Sequence, residues 1–107
     1  MRILFDQGTP VPLRRYFHPH LVDTVSERGW ATFVNGDLLA AAIRDGYDVF
    51  ITTDQNLRHQ QNVARLDLGI LVLLSTSWPR IRNSVEDILV ALDKAYEGNL
   101  VEVPILR

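Results

Sequence analysis

The sequence predicts one α/β domain, with helices on both faces of a central, mainly parallel sheet of about five strands. Three observations predict it. Short apolar runs alternate with segments at helical spacing along the whole chain. Ile70 to Leu74 is apolar at every position, as in a strand covered on both faces. No linker, repeat or low-complexity stretch divides the 107 residues, a length suited to a single core. Alternation of this kind closes through right-handed crossovers, so a three-layer Rossmann-like sandwich over residues 1–107 is expected.

The elements follow in order. Ile3-Leu4-Phe5 is a short strand closed by the turn Asp6-Gln7-Gly8. Thr9 and Pro10 open a helix containing Leu13, Tyr16 and Phe17, with Thr9 as N-cap and Pro10 in the first helical position. His18-Pro19-His20 breaks it, and Leu21 to Val25 is the second strand. Ser26 to Trp30 reads as a single helical turn stopped by Gly29. Asn35-Gly36 is a turn and cap for a helix over Asp37 to Asp45, where Leu38, Leu39, Ala42 and Ile43 share a face and Gly46 stops it. Val49-Phe50-Ile51 is the third strand, and Gln55 to Arg65 a polar helix with Leu57 and Val63 turned inward. The Ile70 strand leads into a loop over Ser75 to Asn83. Ser84 caps a helix through Tyr96 that ends at Gly98, and Leu100 to Ile105 is the last strand.

Composition narrows the functional classes. Hydrophobic residues make up 47% and charged residues 22%, the mixture of a packed globular protein. The absence of cysteine excludes thiolate zinc sites and a disulfide scaffold. A charge at Asp6 follows the first apolar run too soon for a signal peptide, and no apolar run is long enough to span a bilayer, so a cytoplasmic protein without a membrane partner is expected. The net charge of −2 argues against a general nucleic-acid coat, although ten of the eleven bases are arginine, the better bidentate phosphate ligand. His18 and His20 flank a proline and do not by themselves make a zinc site. Trp30 and Trp78 read as core or lid aromatics. Ser75, Thr76 and Ser77 have no histidine at a recognisable spacing, which argues against a nucleophilic serine.

In open parallel sheets, ligands bind beyond the carboxyl ends of the strands. Asp6 and Asp54 fall at two such ends, and Asp37 begins the helix that leads into the Asp54 strand. Carboxylates gathered without a cation raise each other's pKa, so their clustering points to Mg²⁺ or Mn²⁺, hard ions that take oxygen ligands. Each aspartate also has a purely structural reading: Asp6 in a turn, Asp37 at a helix dipole, Asp54 as an N-cap. Asn56 can add a neutral oxygen. Arg58 and His59, together with Arg80 and Arg82 in a basic rim beside Trp78, can face a phosphate backbone.

The runs Ile3 to Pro10, Asn35-Gly36-Asp37-Leu38-Leu39 and Ile51-Thr52-Thr53-Asp54-Gln55-Asn56-Leu57 resemble the PIN-like proteins of a bacterial domain-of-unknown-function family related to the Mut7-C domain. The resemblance runs from residue 1 to about residue 74. It implies a metal-dependent nuclease, a hydrolase that cuts single-stranded RNA, with Asp6, Asp37 and Asp54 as catalytic metal ligands. Many such small proteins resemble toxins of toxin–antitoxin pairs, which implies an antitoxin partner and leaves a homodimer open. Where relatives place a further acid two residues beyond the Asp54 position, this chain has Asn56, so weaker metal binding is expected. A receiver-like phosphoacceptor domain is the alternative: Asp6, Asp54 and Ser75 or Thr76 fit its outline. Gln7 stands against it where a receiver has a second acid, and Val103-Pro104-Ile105 where it has a lysine. A PIN-like module that binds RNA or a partner without cleaving is the third reading.

Overall fold

A computed structural model describes residues 1–57 and 67–105. Its five strands are β1 (Arg2–Phe5), β2 (Leu21–Thr24), β3 (Val49–Thr52), β4 (Gly69–Leu73) and β5 (Leu100–Val103). Every pairing is parallel, and the order across the sheet is β2-β1-β3-β4-β5. The helices are α1 (Asn35–Arg44), α2 (Trp78–Asn83) and α3 (Val85–Tyr96), with a 3-10 helix over Val11–Phe17. The fold is therefore an α/β, Rossmann-like three-layer sandwich.

Alternation within the strands produces the three layers. Ile3 and Phe5 of β1, Val49 and Ile51 of β3 and Leu71 and Leu73 of β4 pack with Leu13, Phe17, Ile81, Ile88 and Leu92 from the 3-10 helix, α2 and α3. Leu4, Phe50, Ile70 and Val72 point the other way, onto Leu38, Leu39 and Ala42 of α1 and onto Trp30 and Tyr47. Two buried faces require apolar residues at successive positions, which is why β1, β3 and β4 read as continuous apolar runs. β4 and α3 approach so closely that a Cβ on Gly69 would lie 1.9 Å from the Ala95 carbonyl oxygen, and only glycine fits there.

Several local expectations change under tertiary contacts. The segment after β1 forms a 3-10 helix, and Thr9 does not cap it: its hydroxyl donates to the Ile51 carbonyl (2.9 Å) and fastens the loop to β3. The turn after β2 is built by reciprocal bonds, Thr24 N–H to Glu27 Oε1 (2.9 Å) and Glu27 N–H to Thr24 Oγ1 (3.1 Å), and Gly29 ends it at φ 74°. Part of the expected loop over Ser75 to Asn83 is helical: Pro79 occupies a first-turn position of α2, and Ile81 is wholly buried in the core. Ser84 flanks α3 without a side-chain capping bond. The helix expected over Gln55 to Arg65 lies mostly outside the described residues; Gln55 and Asn56 form a turn. Trp30 is buried, and Trp78 packs against Tyr16 with ring centroids 6.1 Å apart. Among the described residues, no helix is long and apolar enough to cross a membrane.

Candidate functional site

The order β2-β1-β3 places a reversal of chain direction across the sheet between β1 and β3, where doubly wound sheets open a crevice at their carboxyl ends. The registers Ile3↔Val49, Leu4↔Phe50 and Phe5↔Ile51 bring the residues after Phe5 beside the end of β3. Asp6 N–H donates to the Ile51 carbonyl (2.8 Å), which carries the pairing one residue past β1 and fixes the Asp6 backbone. Asp6 then starts a turn closed by Thr9 N–H to the Asp6 carbonyl (3.0 Å). Within it, a Cβ on Gly8 would sit 2.6 Å from Thr53 Oγ1, so the absent side chain lets this loop approach the one after β3.

Thr52, the last residue of β3, joins the two acids. It is wholly buried. Its hydroxyl donates to Asp6 Oδ2 (2.7 Å) and accepts from the Asp54 N–H (3.0 Å). A buried hydroxyl with one donated and one accepted bond is satisfied, and it holds both loops in a single arrangement. Asp6 Oδ1 accepts from Gln7 N–H (2.8 Å), Asp54 Oδ1 from Asn56 N–H (3.0 Å) and Asp54 Oδ2 from Asn35 Nδ2 (3.2 Å). An ionised carboxyl offers about four lone-pair positions, so both acids retain acceptor capacity beyond these bonds. Two carboxylates with acceptor positions to spare are hard oxygen ligands of the kind that Mg²⁺ or Mn²⁺ takes.

Asp37 occupies a different place from Asp6 and Asp54. It is exposed in the first turn of α1, and the α1 residue that reaches the site is Asn35, through its amide bond to Asp54. Among the described residues, no group of three or more histidines, aspartates or glutamates is placed to hold a metal ion. Asn56 acts on Asp54 through its backbone N–H and is itself exposed. Arg80 and Arg82 are exposed on α2, while Arg58 and His59 lie outside the described residues. Thr52 and Asn35 are the two site residues that sequence reasoning assigned other work. Their signals were present as Thr52-Thr53 beside an acid and as an Asn-Gly pair at a helix start, but both read more simply as strand end and cap.

The densest polar network lies at the amino end of β3. Tyr47, 3% exposed, donates its hydroxyl to Asp23 Oδ2 (2.6 Å) and accepts from Arg28 Nη1 (2.6 Å). Arg28 also pairs with Asp45, which accepts a further bond from Arg44 Nε (3.1 Å). The Arg28 guanidinium covers the Trp30 ring at 4.4 Å, and Arg2 covers Tyr47 at 4.5 Å. Burial and the Asp23 carboxylate push the Tyr47 phenol up against the opposing pull of Arg28. The Arg44 hydrogen bond, followed by Arg28, holds the Asp45 carboxyl below the usual range despite some desolvation. This network ties α1, β2 and β3 together at the opposite end of β3 from Asp54. Comparisons with protein-family models, curated proteins and solved structures found no match.

Proposed function

We propose that this chain is a Mg²⁺- or Mn²⁺-dependent ribonuclease acting on single-stranded RNA, with Asp6 and Asp54 as the carboxylates that hold the cation. The observation that carries the reading is the Thr52 hydroxyl, which links both acids at the crevice between β1 and β3. A bound divalent ion would supply stabilisation of charge on phosphate oxygens. The chain's own residues orient the ligands: Thr52 and the Gln7 N–H fix Asp6, and Asn35 and the Asn56 N–H fix Asp54. Asp37, exposed in the first turn of the same helix as Asn35, is the third acid this reading assigns to the metal-dependent step. Arg80 and Arg82 add exposed positive charge for a phosphate backbone. A toxin role with an antitoxin partner follows from the family resemblance alone.

The test is cleavage of labelled single-stranded RNA by purified protein with Mn²⁺, with Mg²⁺ or with EDTA. Cleavage that needs the ion and disappears in Asp6→Asn and in Asp54→Asn is the expected result. Full cleavage by both variants would assign the activity elsewhere, and ion-dependent RNA binding without cleavage would identify a binding module.

One observation favours a second reading. The order β2-β1-β3-β4-β5 is that of flavodoxin-like doubly wound sheets, which phosphoacceptor receivers share, and Asp54 and Ser75 follow β3 and β4 as they would in such a domain. This is an analogy of fold. Against it stand Gln7 beside Asp6 and the sequence Val103-Pro104 at the end of β5. Acetyl phosphate is therefore expected to leave the intact mass unchanged; a phosphorylated species lost in Asp54→Asn would put the receiver first.

A further inference from the structure

Two arginines and two aromatic rings meet where the 3-10 helix packs against α2. Tyr16 and Trp78 are half-buried with ring centroids 6.1 Å apart, so each keeps part of its ring in solvent. The Arg15 guanidinium covers the Tyr16 ring at 5.2 Å, and Arg82 follows Trp78 by one turn of α2. Arg82 and Tyr16 line a pocket of about 400 Å³ that Glu86 and Asp87, from the first turn of α3, also line. Both arginines are exposed, and among the described residues neither takes part in an ion pair, whereas Arg14, Arg28 and Arg44 all do. The 3-10 helix follows the Asp6 turn and α2 follows β4, so both elements leave the end of the sheet that carries Asp6 and Asp54.

We infer that this strip binds single-stranded RNA, with Arg15 and Arg82 on phosphates and a base stacked on Trp78. The inference deepens the ribonuclease reading and rests on it for the choice of nucleic acid. Guanidinium groups pair with phosphate oxygens and an aromatic face accepts any base, so the combination tracks a single strand without reading its sequence. In a chain of net charge −2, two unpaired arginines beside partly exposed rings make a local site rather than a basic coat. Glu86 and Asp87 repel phosphate and hold the backbone to the arginine side of the pocket. An acidic peptide would use the arginines and leave the rings without a partner.

Trp78 is its own reporter, because the other tryptophan, Trp30, is buried. The test titrates the full chain with a short oligocytidylate in EDTA, where binding is read apart from metal-dependent cleavage. The expected result is saturable quenching of tryptophan emission that Trp78→Phe removes, while a labelled oligocytidylate still binds that variant by fluorescence anisotropy. Trp78→Ala should lose about tenfold in affinity. The logarithm of affinity should fall with the logarithm of salt concentration at a slope of about −1.4, and Arg15→Gln or Arg82→Gln should each remove about 0.7 of it. Absence of quenching, a slope unchanged in both arginine variants, or displacement by polyglutamate as effective as by oligocytidylate would overturn the inference. Ion-dependent cleavage with KM untouched by both arginine variants would overturn it and leave the ribonuclease reading standing. Binding that depends on the strip, without cleavage in any ion, would support the strip and overturn that reading.

Discussion

At Asp54 the structural and functional readings predict different outcomes for the same substitutions. Its carboxylate accepts from the Asn56 N–H and from the Asn35 amide, so part of its work is local and would exist in any fold with this turn. Asparagine keeps one of its oxygens and can still accept the Asn56 bond. Asp54→Asn is therefore expected to change stability by less than about 1 kcal/mol, while Asp54→Ala loses about 1–2 kcal/mol. Thermal melts with and without Mn²⁺ separate the roles: the ion should raise the wild-type midpoint and leave that of Asp54→Asn where it was. An equal shift in both would remove Asp54 from the metal site.

Tyr47 supports a second prediction about a single residue. Its phenol titrates higher in the folded chain than its ordinary value of 10.0, because burial and Asp23 oppose the phenolate. The sign follows from proton linkage: a raised folded pKa gives stability that is complete below pH 10 and is lost as pH rises through the folded value. Urea unfolding of wild type and Tyr47→Phe should show this alkaline loss reduced in the variant. Near neutral pH the same variant should be less stable by about 1–3 kcal/mol, since Asp23 and Arg28 each lose a partner.

The elements meet at two close approaches that glycine makes possible. The contact at Gly69 is backbone against backbone, Gly69 against the Ala95 carbonyl, so neither side can yield by changing a rotamer. Gly69→Ala is expected to force β4 and α3 apart and to cost about 1–3 kcal/mol in chemical denaturation. The contact at Gly8 is with the Thr53 hydroxyl, which can turn away. Gly8→Ala should therefore leave global stability nearly unchanged and act on the crevice instead, lowering the Mn²⁺-induced rise in melting temperature. That contrast distinguishes a glycine kept for the fold from one kept for the site.

Over the whole molecule, the two ends of β3 carry different chemistry. Its amino end is closed by charge pairs and cation–π contacts among Arg2, Asp23, Arg28, Asp45 and Tyr47, which tie neighbouring elements together. Its carboxyl end carries two acids on loops that adjoin only because β1 and β3 are neighbours. Catalytic and binding groups concentrate at such loop ends, where side chains can reach a ligand without disturbing the core beneath. A variant that loosens the amino-end network, such as Arg28→Ala, is expected to lower the unfolding midpoint and leave the ion response of the folded protein intact.

Apolar runs marked β1, β3 and β4, and their continuity pointed to a parallel sheet covered on both faces, because each of these strands must bury successive side chains in opposite directions. The edge strands β2 and β5 carry Asp23 and Glu102 and are only partly buried. The acids at strand ends were legible for the same local reason: Asp6 directly follows an apolar run, and Asp54 follows one after Thr52-Thr53. Strand order was not legible, and it decided which acids meet. A helix start and a strand end can be read from neighbouring residues, whereas a hydrogen bond across 46 positions, as between Thr52 and Asp6, depends on register between strands distant in sequence. Tertiary structure also redirected groups whose local assignment was sound. Asn35 donates its amide to Asp54 and Thr9 its hydroxyl to Ile51, and neither side chain's oxygen accepts a capping bond from the helix N–H groups that follow.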